Sequence, residues 1–260
     1  MAVVMNIVVF LIGSMVGSFF NVCISRLPRE ESVVSPRSHC MNCGHTINWY
    51  DNIPFISYIA LRARCRYCAA RIPIRYFIVE LVTALTFLIL YLYFGLSAHF
   101  FAFLILLSLL IVATFTDFEH FMIPDIVSFL GIGVGLALAL LYPSLHHTAD
   151  RLPALYRSLL GALTGGGSIF LIGVIGKLIF RKEAMGGGDV KLMAMIGTFL
   201  GWQMVLLAFF IAPFFGSIVG IVAKFKYKKE IIPYGPYLSM ATLVVIFWGE
   251  PILRFIIFRY

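Results

Sequence analysis

Two aspartates, Asp117 and Asp189, lie at the edges of long hydrophobic segments of the sequence. A carboxylate at the edge of a membrane is costly unless something compensates it, so each is a candidate functional residue. If both lie at the same face of the membrane, they can form an aspartyl protease dyad that shares one proton. One carboxylate then acts as a base toward water while the other donates to the scissile carbonyl, so the pair predicts peptide hydrolysis.

The sequence around each aspartate distinguishes it from neighbouring acids. Asp117 follows an unbroken apolar segment and stands at a predicted helix C-terminus, where the helix dipole disfavours an anion, so no structural role explains it. Asp125 stands in the predicted first turn of the next helix, where an anion is stabilised, and this is a structural explanation. Asp189 has a structural alternative as the N-cap of the helix that follows it.

Three consecutive glycines come immediately before Asp189, and they exceed what an N-cap requires. Glycine gives the backbone conformational freedom and lets another chain approach closely, as the scissile bond of a substrate must. We therefore expect a substrate peptide to approach the backbone at Gly186, Gly187 and Gly188.

The polar stretch 25–76 contains four of the five cysteines, arranged as two Cys-x-x-Cys pairs with 21 residues between them. This spacing is typical of a four-cysteine zinc site, although two disulfides or four free thiols remain alternatives. Four thiolates would fill a tetrahedral shell, so the zinc would be structural and would supply much of the folding energy of this small loop. The predicted ligands are Cys40, Cys43, Cys65 and Cys68.

The composition is that of a membrane protein. The chain has 260 residues, of which 61% are hydrophobic, and its mean hydropathy is +0.98. The hydrophobic runs are continuous rather than alternating, which disfavours a β-barrel. The net charge of +8 is spread between these runs, so it indicates membrane topology rather than a nucleic-acid partner. The predicted surroundings are therefore a lipid bilayer.

Hydrophobic segments long enough to cross a bilayer require about 20 residues of helix. The sequence predicts an all-α polytopic membrane protein with about eight transmembrane helices and one small zinc-binding cytoplasmic domain. The predicted segments are 3–24, 77–95, 98–116, 123–142, 158–180, 190–203, 204–223 and 238–257.

The distribution of basic residues predicts the orientation. In a model with eight spans, fifteen of the twenty Lys and Arg residues fall on one side, which should be cytoplasmic. They lie in the loop 25–76, around 181–191 and in the stretch 224–229. Both Asp117 and Asp189 then face the cytoplasm, and both termini lie outside.

Several motifs, in order along the chain, together resemble the type IV prepilin peptidases. The resemblance covers nearly the whole sequence and rests on the motifs in combination rather than on any one of them. The motifs are Gly17–Val22, Arg26–Pro28, the two cysteine pairs around Trp49–Pro54, Asp117–Asp125, Gly186–Leu192 and Pro233–Tyr237.

The resemblance implies an aspartyl endopeptidase of the bacterial inner membrane. Such an enzyme cuts the short basic leader of type IV prepilins or type II secretion pseudopilins after a glycine, on the cytoplasmic side. The second catalytic acid of the family belongs to a Gly-x-Gly-Asp sequence, which maps onto Asp189, and the first maps onto Asp117.

The resemblance implies a second activity for members with the cysteine loop, namely N-methylation of the new amino terminus with S-adenosylmethionine. The residues expected to line the methyltransferase site are Asn21, Arg26 and Glu80.

The predicted organisation has three parts. Residues 1–24 form the first transmembrane helix, 25–76 the cytoplasmic zinc domain, and 77–260 the transmembrane peptidase core. A different class of function, a proton- or ion-coupled transporter with a regulatory zinc module, would also use membrane carboxylates. Transporters usually contain paired broken segments, and the sequence offers only the glycine run at 186–188.

Overall fold

The computed structural model describes residues 2–181, 185–222 and 232–258. Within these ranges the chain is helical and contains no strand beyond two isolated bridges, which confirms the all-α prediction. The basic residues Lys182, Lys224, Lys226, Lys228 and Lys229, on which the predicted orientation partly rests, lie outside the described residues. The helices are α1 Ala2–Arg26, α2 Ile56–Ala60, α3 Arg75–Phe94, α4 Ala98–His120, α5 Asp125–Leu141, α6 Arg151–Phe180, α7 Gly187–Leu200, α8 Trp202–Val222 and α9 Gly235–Phe258.

The long helices correspond to the eight predicted segments in order. Six helices of the described chain are long and apolar enough to cross a membrane. The other two, α5 and α7, have 17 and 14 residues. At a rise of 1.5 Å per residue, α7 is only about 21 Å long. The prediction of about eight helices is therefore matched, but α5 and α7 are short for full spans.

The chain divides into unit 1, Met1–Phe100, and unit 2, Phe101–Tyr260. In unit 1, α1 packs closely against α3 because glycines face the partner helix. A Cβ atom on Gly17 would lie 2.8 Å from the Cα atom of Glu80, and one on Gly13 would lie 2.8 Å from the Cα atom of Ala84. Small residues of this kind let helix backbones approach each other in membranes.

In unit 2, α7 packs between α5 and α6 with very close backbone contacts. A Cβ atom on Gly161 of α6 would overlap the carbonyl oxygen of Gly197, and a Cβ atom on Gly197 would overlap that of Gly161. On the α5 side, Gly131 leaves room for the side chain of Met195. The helix that carries Asp189 is therefore fixed on two sides by close packing.

A short 3₁₀ turn, Pro143–His146, connects α5 to α6 and buries a histidine. Arg157 Nη1 donates a hydrogen bond of 2.7 Å to the carbonyl oxygen of His146. Burial lowers the pKa of the His146 imidazole to about 4, so this ring is neutral in the folded protein at neutral pH.

Candidate active site and metal centre

Asp117 lies in the last turn of α4, and its side chain is buried. Its Oδ2 atom accepts a 3.0 Å hydrogen bond from the backbone N–H of Gly235, the first residue of α9. A Cβ atom at position 235 would lie 2.8 Å from this oxygen, so glycine permits the contact. The positive N-terminal end of α9 thereby stabilises a negative charge on Asp117.

Asp189 is the third residue of α7 and is also buried. The N-cap of α7 is Gly186, and no side chain caps this helix end. The structural alternative that made Asp189 an N-cap is therefore wrong, because the helix begins two residues before it. Its position in the first turn still places the carboxylate near a positive helix end.

The glycines before Asp189 differ in their surroundings. A Cβ atom on Gly188 would lie 3.1 Å from the Cβ atom of Ile123, so Gly188 allows close packing there. A Cβ atom on Gly187 would meet no described atom within 4 Å. Gly187 therefore leaves open space at the helix end, where a substrate backbone was expected.

The two aspartates belong to one electrostatic cluster in unit 2. The charge of Asp117 acts on Asp189, and two tyrosines extend the cluster, since Tyr237 interacts with Asp117 and Tyr234 with Asp189. The centroids of the two tyrosine rings are 6.3 Å apart. Burial, followed by the charge of Asp189, raises the pKa of Tyr234 to about 12, so its hydroxyl stays protonated as a donor.

Asp125 has a different partner from the two clustered aspartates. It lies in the first turn of α5, and its two carboxylate oxygens accept hydrogen bonds of 2.6 and 2.7 Å from Lys191 Nζ. The structural explanation of Asp125 is supported, with an ion pair added to the favourable helix end.

The four loop cysteines come together as the sequence predicts. Their Sγ atoms all lie within 4.8 Å of one another, and none of these cysteines is in a disulfide. The Sγ atoms of Cys40 and Cys68 are 3.8 Å apart. Tetrahedral ligands at the usual zinc–sulfur distance are also about 3.8 Å apart. The cluster therefore fits a metal ion bound by four thiolates.

The two cysteine pairs have the same backbone conformation. Cys40 N–H donates to the His45 carbonyl at 2.9 Å, and Cys65 N–H donates to the Ala70 carbonyl at 2.8 Å. Hydrogen bonds from the Ala70 N–H and then from the Asn42 amide lower the pKa of Cys68 to about 6. Such donors favour the thiolate, which is the form that binds metal.

Unit 1 also contains a cavity of about 440 Å³. Its walls include the three residues predicted for the methyltransferase site, together with cysteines of the metal cluster. Arg26 is buried in this wall and donates hydrogen bonds to the carbonyl oxygens of Ser32 and Pro36 at 2.9 and 2.7 Å. It therefore holds the loop against the end of α1.

Each of the two units matches a known protein family or domain. Residues 11–94 match the bacterial peptidase A24 N-terminal domain, and residues 104–221 match the type IV leader peptidase family. The protein from Pseudomonas aeruginosa named prepilin leader peptidase/N-methyltransferase is 34% identical over 271 residues, which cover 94% of this chain and 90% of the relative. The chain belongs to the type IV leader peptidase family.

Two further relatives carry the same name. The protein from Bacillus subtilis is 30% identical over 253 residues, covering 96% of this chain and 97% of the relative. The protein from Myxococcus xanthus is 40% identical over 213 residues, covering 82% of this chain, and this match spans only 61% of that relative's length. No solved structure matches the chain.

Three residues of the aspartate cluster in this leader peptidase family member are not predicted from the sequence. Tyr234, Gly235 and Tyr237 were noted only within the Pro233–Tyr237 motif and received no role. The signal that could have found them is the aromatic and glycine pattern directly before a hydrophobic segment. Their contacts with Asp117 and Asp189 depend on how α9 packs, which spacing alone does not give.

Proposed function

We propose that Asp117 and Asp189 form the catalytic dyad of a prepilin leader peptidase that also N-methylates its product. The observation that carries this proposal is their burial in one electrostatic cluster at two helix ends of unit 2. The family supports the same activity, since its members are leader peptidases. The transporter alternative has no support from the comparisons.

The dyad would act through one shared proton. The ionised carboxylate takes a proton from a water molecule, and the water oxygen forms a bond to the scissile carbonyl carbon. The protonated carboxyl donates to the carbonyl oxygen. When the C–N bond breaks, the carboxyl that took the proton from water passes it to the leaving nitrogen, which becomes the new amino terminus. The other carboxylate regains its proton from a hydroxyl of the tetrahedral intermediate as the carboxylic acid product forms. The Gly235 N–H orients Asp117 throughout.

The substrate would be a type IV prepilin or type II secretion pseudopilin, cut after a glycine at the cytoplasmic face of the bacterial inner membrane. A precursor of this kind presents a basic leader in the cytosol and a hydrophobic helix in the bilayer. The charge asymmetry of the sequence supports this orientation. The open space at Gly187 supports approach of the peptide backbone at Gly186, Gly187 and Gly188.

Unit 1 would supply the second activity. The four-cysteine cluster fits zinc, which would be structural because four thiolates leave no open position. S-adenosylmethionine would provide the methyl group, and Asn21, Arg26 and Glu80 would line the methyl-transfer site. Support comes from the cavity, whose wall contains all three residues and part of the metal cluster.

The dyad is tested with purified protein in detergent and a prepilin that carries a basic leader and a glycine at the junction. We expect Asp117→Asn and Asp189→Asn each to lower the cleavage rate by roughly 10²-fold to 10⁴-fold, because each removes a proton-transfer group. Asp125→Asn is the matched control and should keep most of the activity. Full cleavage by Asp189→Asn protein would exclude the dyad.

The same variants should still methylate a peptide that already has the free amino terminus. Loss of methyl transfer together with cleavage in both dyad variants, while the zinc content stays normal, would contradict the assignment of the two activities to separate sites.

A further inference from the structure

The wall of the unit 1 cavity includes two residues with hydrogen-bond acceptors to which the proposed function gives no ligand group. Its volume of about 440 Å³ lies in the range of small-molecule sites. The acceptors are the side-chain oxygen of Asn21 on α1 and the carboxylate of Glu80 on α3. Both side chains are more than nine-tenths buried.

The Asn21 amide has a fixed orientation. Its Nδ2 atom donates to the carbonyl oxygen of Tyr76 at 3.0 Å and to that of Gly17 at 3.4 Å. Exchanging nitrogen and oxygen would place an acceptor against two acceptors, so the hydrogen bonds decide which atom is which. The Oδ1 atom is buried and has no hydrogen-bond partner among the described residues. A buried acceptor in this state calls for a donor that the protein does not supply, from a water molecule or a ligand.

The Glu80 carboxylate is only partly compensated. Its Oε2 atom accepts a 3.0 Å hydrogen bond from the backbone N–H of Phe55, and the Ser18 hydroxyl also bonds to it. No Lys, Arg or His in the described part of the chain forms an ion pair with it. A buried carboxylate is costly without a cation.

The contact between α1 and α3 makes Asn21 and Glu80 neighbours in the cavity wall. Asn21 lies one turn after Gly17 on α1 and bonds to Tyr76, while Glu80 lies one turn after Tyr76 on α3. Gly17 in turn contacts the backbone at Glu80. Asn21 and Glu80 are thus offset by about one helical turn, roughly 5 Å along the axes of the facing helices.

A cation with several N–H donors satisfies both groups. A primary ammonium group has one positive charge and three donors. We infer that Asn21 Oδ1 and the Glu80 carboxylate together bind a primary ammonium group. The inference rests on the proposed methyltransferase function, in which two molecules carry such a group: the new amino terminus of the cleaved pilin and the amino-acid portion of the methyl donor.

The test uses full-length protein in detergent and the variant Glu80→Gln, which keeps the shape and the acceptor for Phe55 but removes the charge. Asn21→Leu is the second variant. Glu31→Gln is the matched control, because Glu31 is an exposed carboxylate in the wall of the same cavity. Zinc content and prepilin cleavage show that each variant is folded.

Two measurements distinguish the sources of the ammonium group. One is the KM of a pre-cleaved pilin peptide in methyl transfer, and the other is the Kd of S-adenosylhomocysteine by calorimetry. Glu80→Gln should weaken one of them by roughly 30-fold or more, as loss of a buried charge partner does. Glu31→Gln should change neither.

The decisive arm removes the amino group from the ligand. The ligand that Glu80→Gln weakens is replaced by an analogue without the amino group. If Glu80 and Asn21 bind the ammonium group, this analogue should bind wild-type and Glu80→Gln protein equally well. For the peptide, this analogue carries a hydroxyl at its terminus and is measured as a competitive inhibitor. For S-adenosylhomocysteine, it is the desamino form.

Three results would overturn the inference. These are unchanged KM and Kd in both variants, an equal loss with the analogue, or an equal loss in Glu31→Gln. Failure of the proposed function looks different: wild-type protein would transfer no methyl group to any peptide. In that case the ammonium site is tested by calorimetry alone, with S-adenosylhomocysteine and its desamino form. If Glu80→Gln protein binds both compounds with the wild-type Kd, the ammonium site is excluded.

Discussion

The two units of this protein hold their chemical groups by different means. In unit 1 the four cysteines stand on loops, and hydrogen bonds of the backbone hold them in an arrangement that fits a metal ion. In unit 2 the aspartates stand on helices: glycine contacts between helix backbones fix the helix of Asp189, and the Gly235 N–H bonds to Asp117. Each activity should therefore be sensitive to a perturbation that leaves the other almost unchanged.

Removing the metal should separate the two activities more than any other change. We expect Cys40→Ser or treatment with a strong chelator to lower methyl transfer by about 100-fold, because a structural zinc site contributes directly to folding free energy. Leader cleavage should change by no more than about threefold, a shift below 1 kcal/mol. Zinc content and both activities are measured on the same preparation.

The control for metal removal is Cys23→Ala. Cys23 is buried in α1 outside the cysteine cluster, and its loss should leave the zinc content unchanged. A metal-free protein that transfers methyl groups at the wild-type rate would contradict the role given to the cluster.

Disrupting the glycine contact between α6 and α7 should slow leader cleavage and leave methyl transfer unchanged. Gly161→Ala places a Cβ atom against the Gly197 carbonyl, so we expect a loss of about 1–3 kcal/mol in the free energy of unfolding and slower leader cleavage. Methylation of a pre-cleaved peptide should not change. Gly167→Ala lies on the same helix with no described atom within 4 Å of the added carbon, and it should be harmless. Equal effects of the two substitutions would exclude close packing as the cause.

Mild acid should reduce the stability of unit 2 through His146. The unfolded imidazole binds a proton at a pKa of about 6.5, whereas the folded one does so only at about 4. Between these values the unfolded state binds more protons, so stability falls as pH falls, by up to about 3 kcal/mol. Thermal unfolding in detergent at pH 7.5 and pH 4.5 measures this dependence.

His147 provides a neighbouring control for His146. It is exposed and has a positive φ of 53°, which asparagine tolerates well. We expect His146→Asn to reduce the pH dependence and His147→Asn to retain it. The same pH dependence in both variants would assign it to other groups.

The smallest effect is expected at the Asp125–Lys191 ion pair. Both side chains are more than one-third exposed, so the pair should contribute about 0.2–1 kcal/mol. A double-mutant cycle with Asp125→Asn and Lys191→Gln measures it, with cleavage changing only a few-fold. A coupling free energy above about 2 kcal/mol would place the pair among the groups that position Asp189.

Hydrophobicity predicted the helices of the fold well because membrane helices must be apolar over their whole length. It was less accurate at the ends of helices that begin in polar or glycine-rich sequence. The segment predicted at 158–180 begins at Arg151, and the one predicted at 190–203 runs over Gly187–Leu200. In the second case the helix ends at Leu200, because the next residue, Gly201, has a φ of +76° that favours glycine.

The site was predictable where residue type alone implies chemistry. Aspartates at membrane edges and paired cysteines are costly or reactive enough to be conspicuous, and the structure brings each set together. The contact of Gly235 with Asp117 was not predictable, and neither was the buried Oδ1 atom of Asn21 that has no hydrogen-bond partner among the described residues, because both depend on how distant helices pack. The assignment of catalytic and ligand roles to these residues stays a prediction.

The distribution of the two sites along the chain has an evolutionary consequence. Every wall residue of the cavity lies between positions 18 and 80, whereas both aspartates lie beyond position 100. Natural selection can therefore act separately on the cavity and on the aspartate cluster. On the proposed assignment, a lineage whose substrates need no methyl group can lose the cysteines and the acceptor pair by drift and still cleave those substrates. One whose substrates change at the cleavage site can adapt the second half of the gene alone.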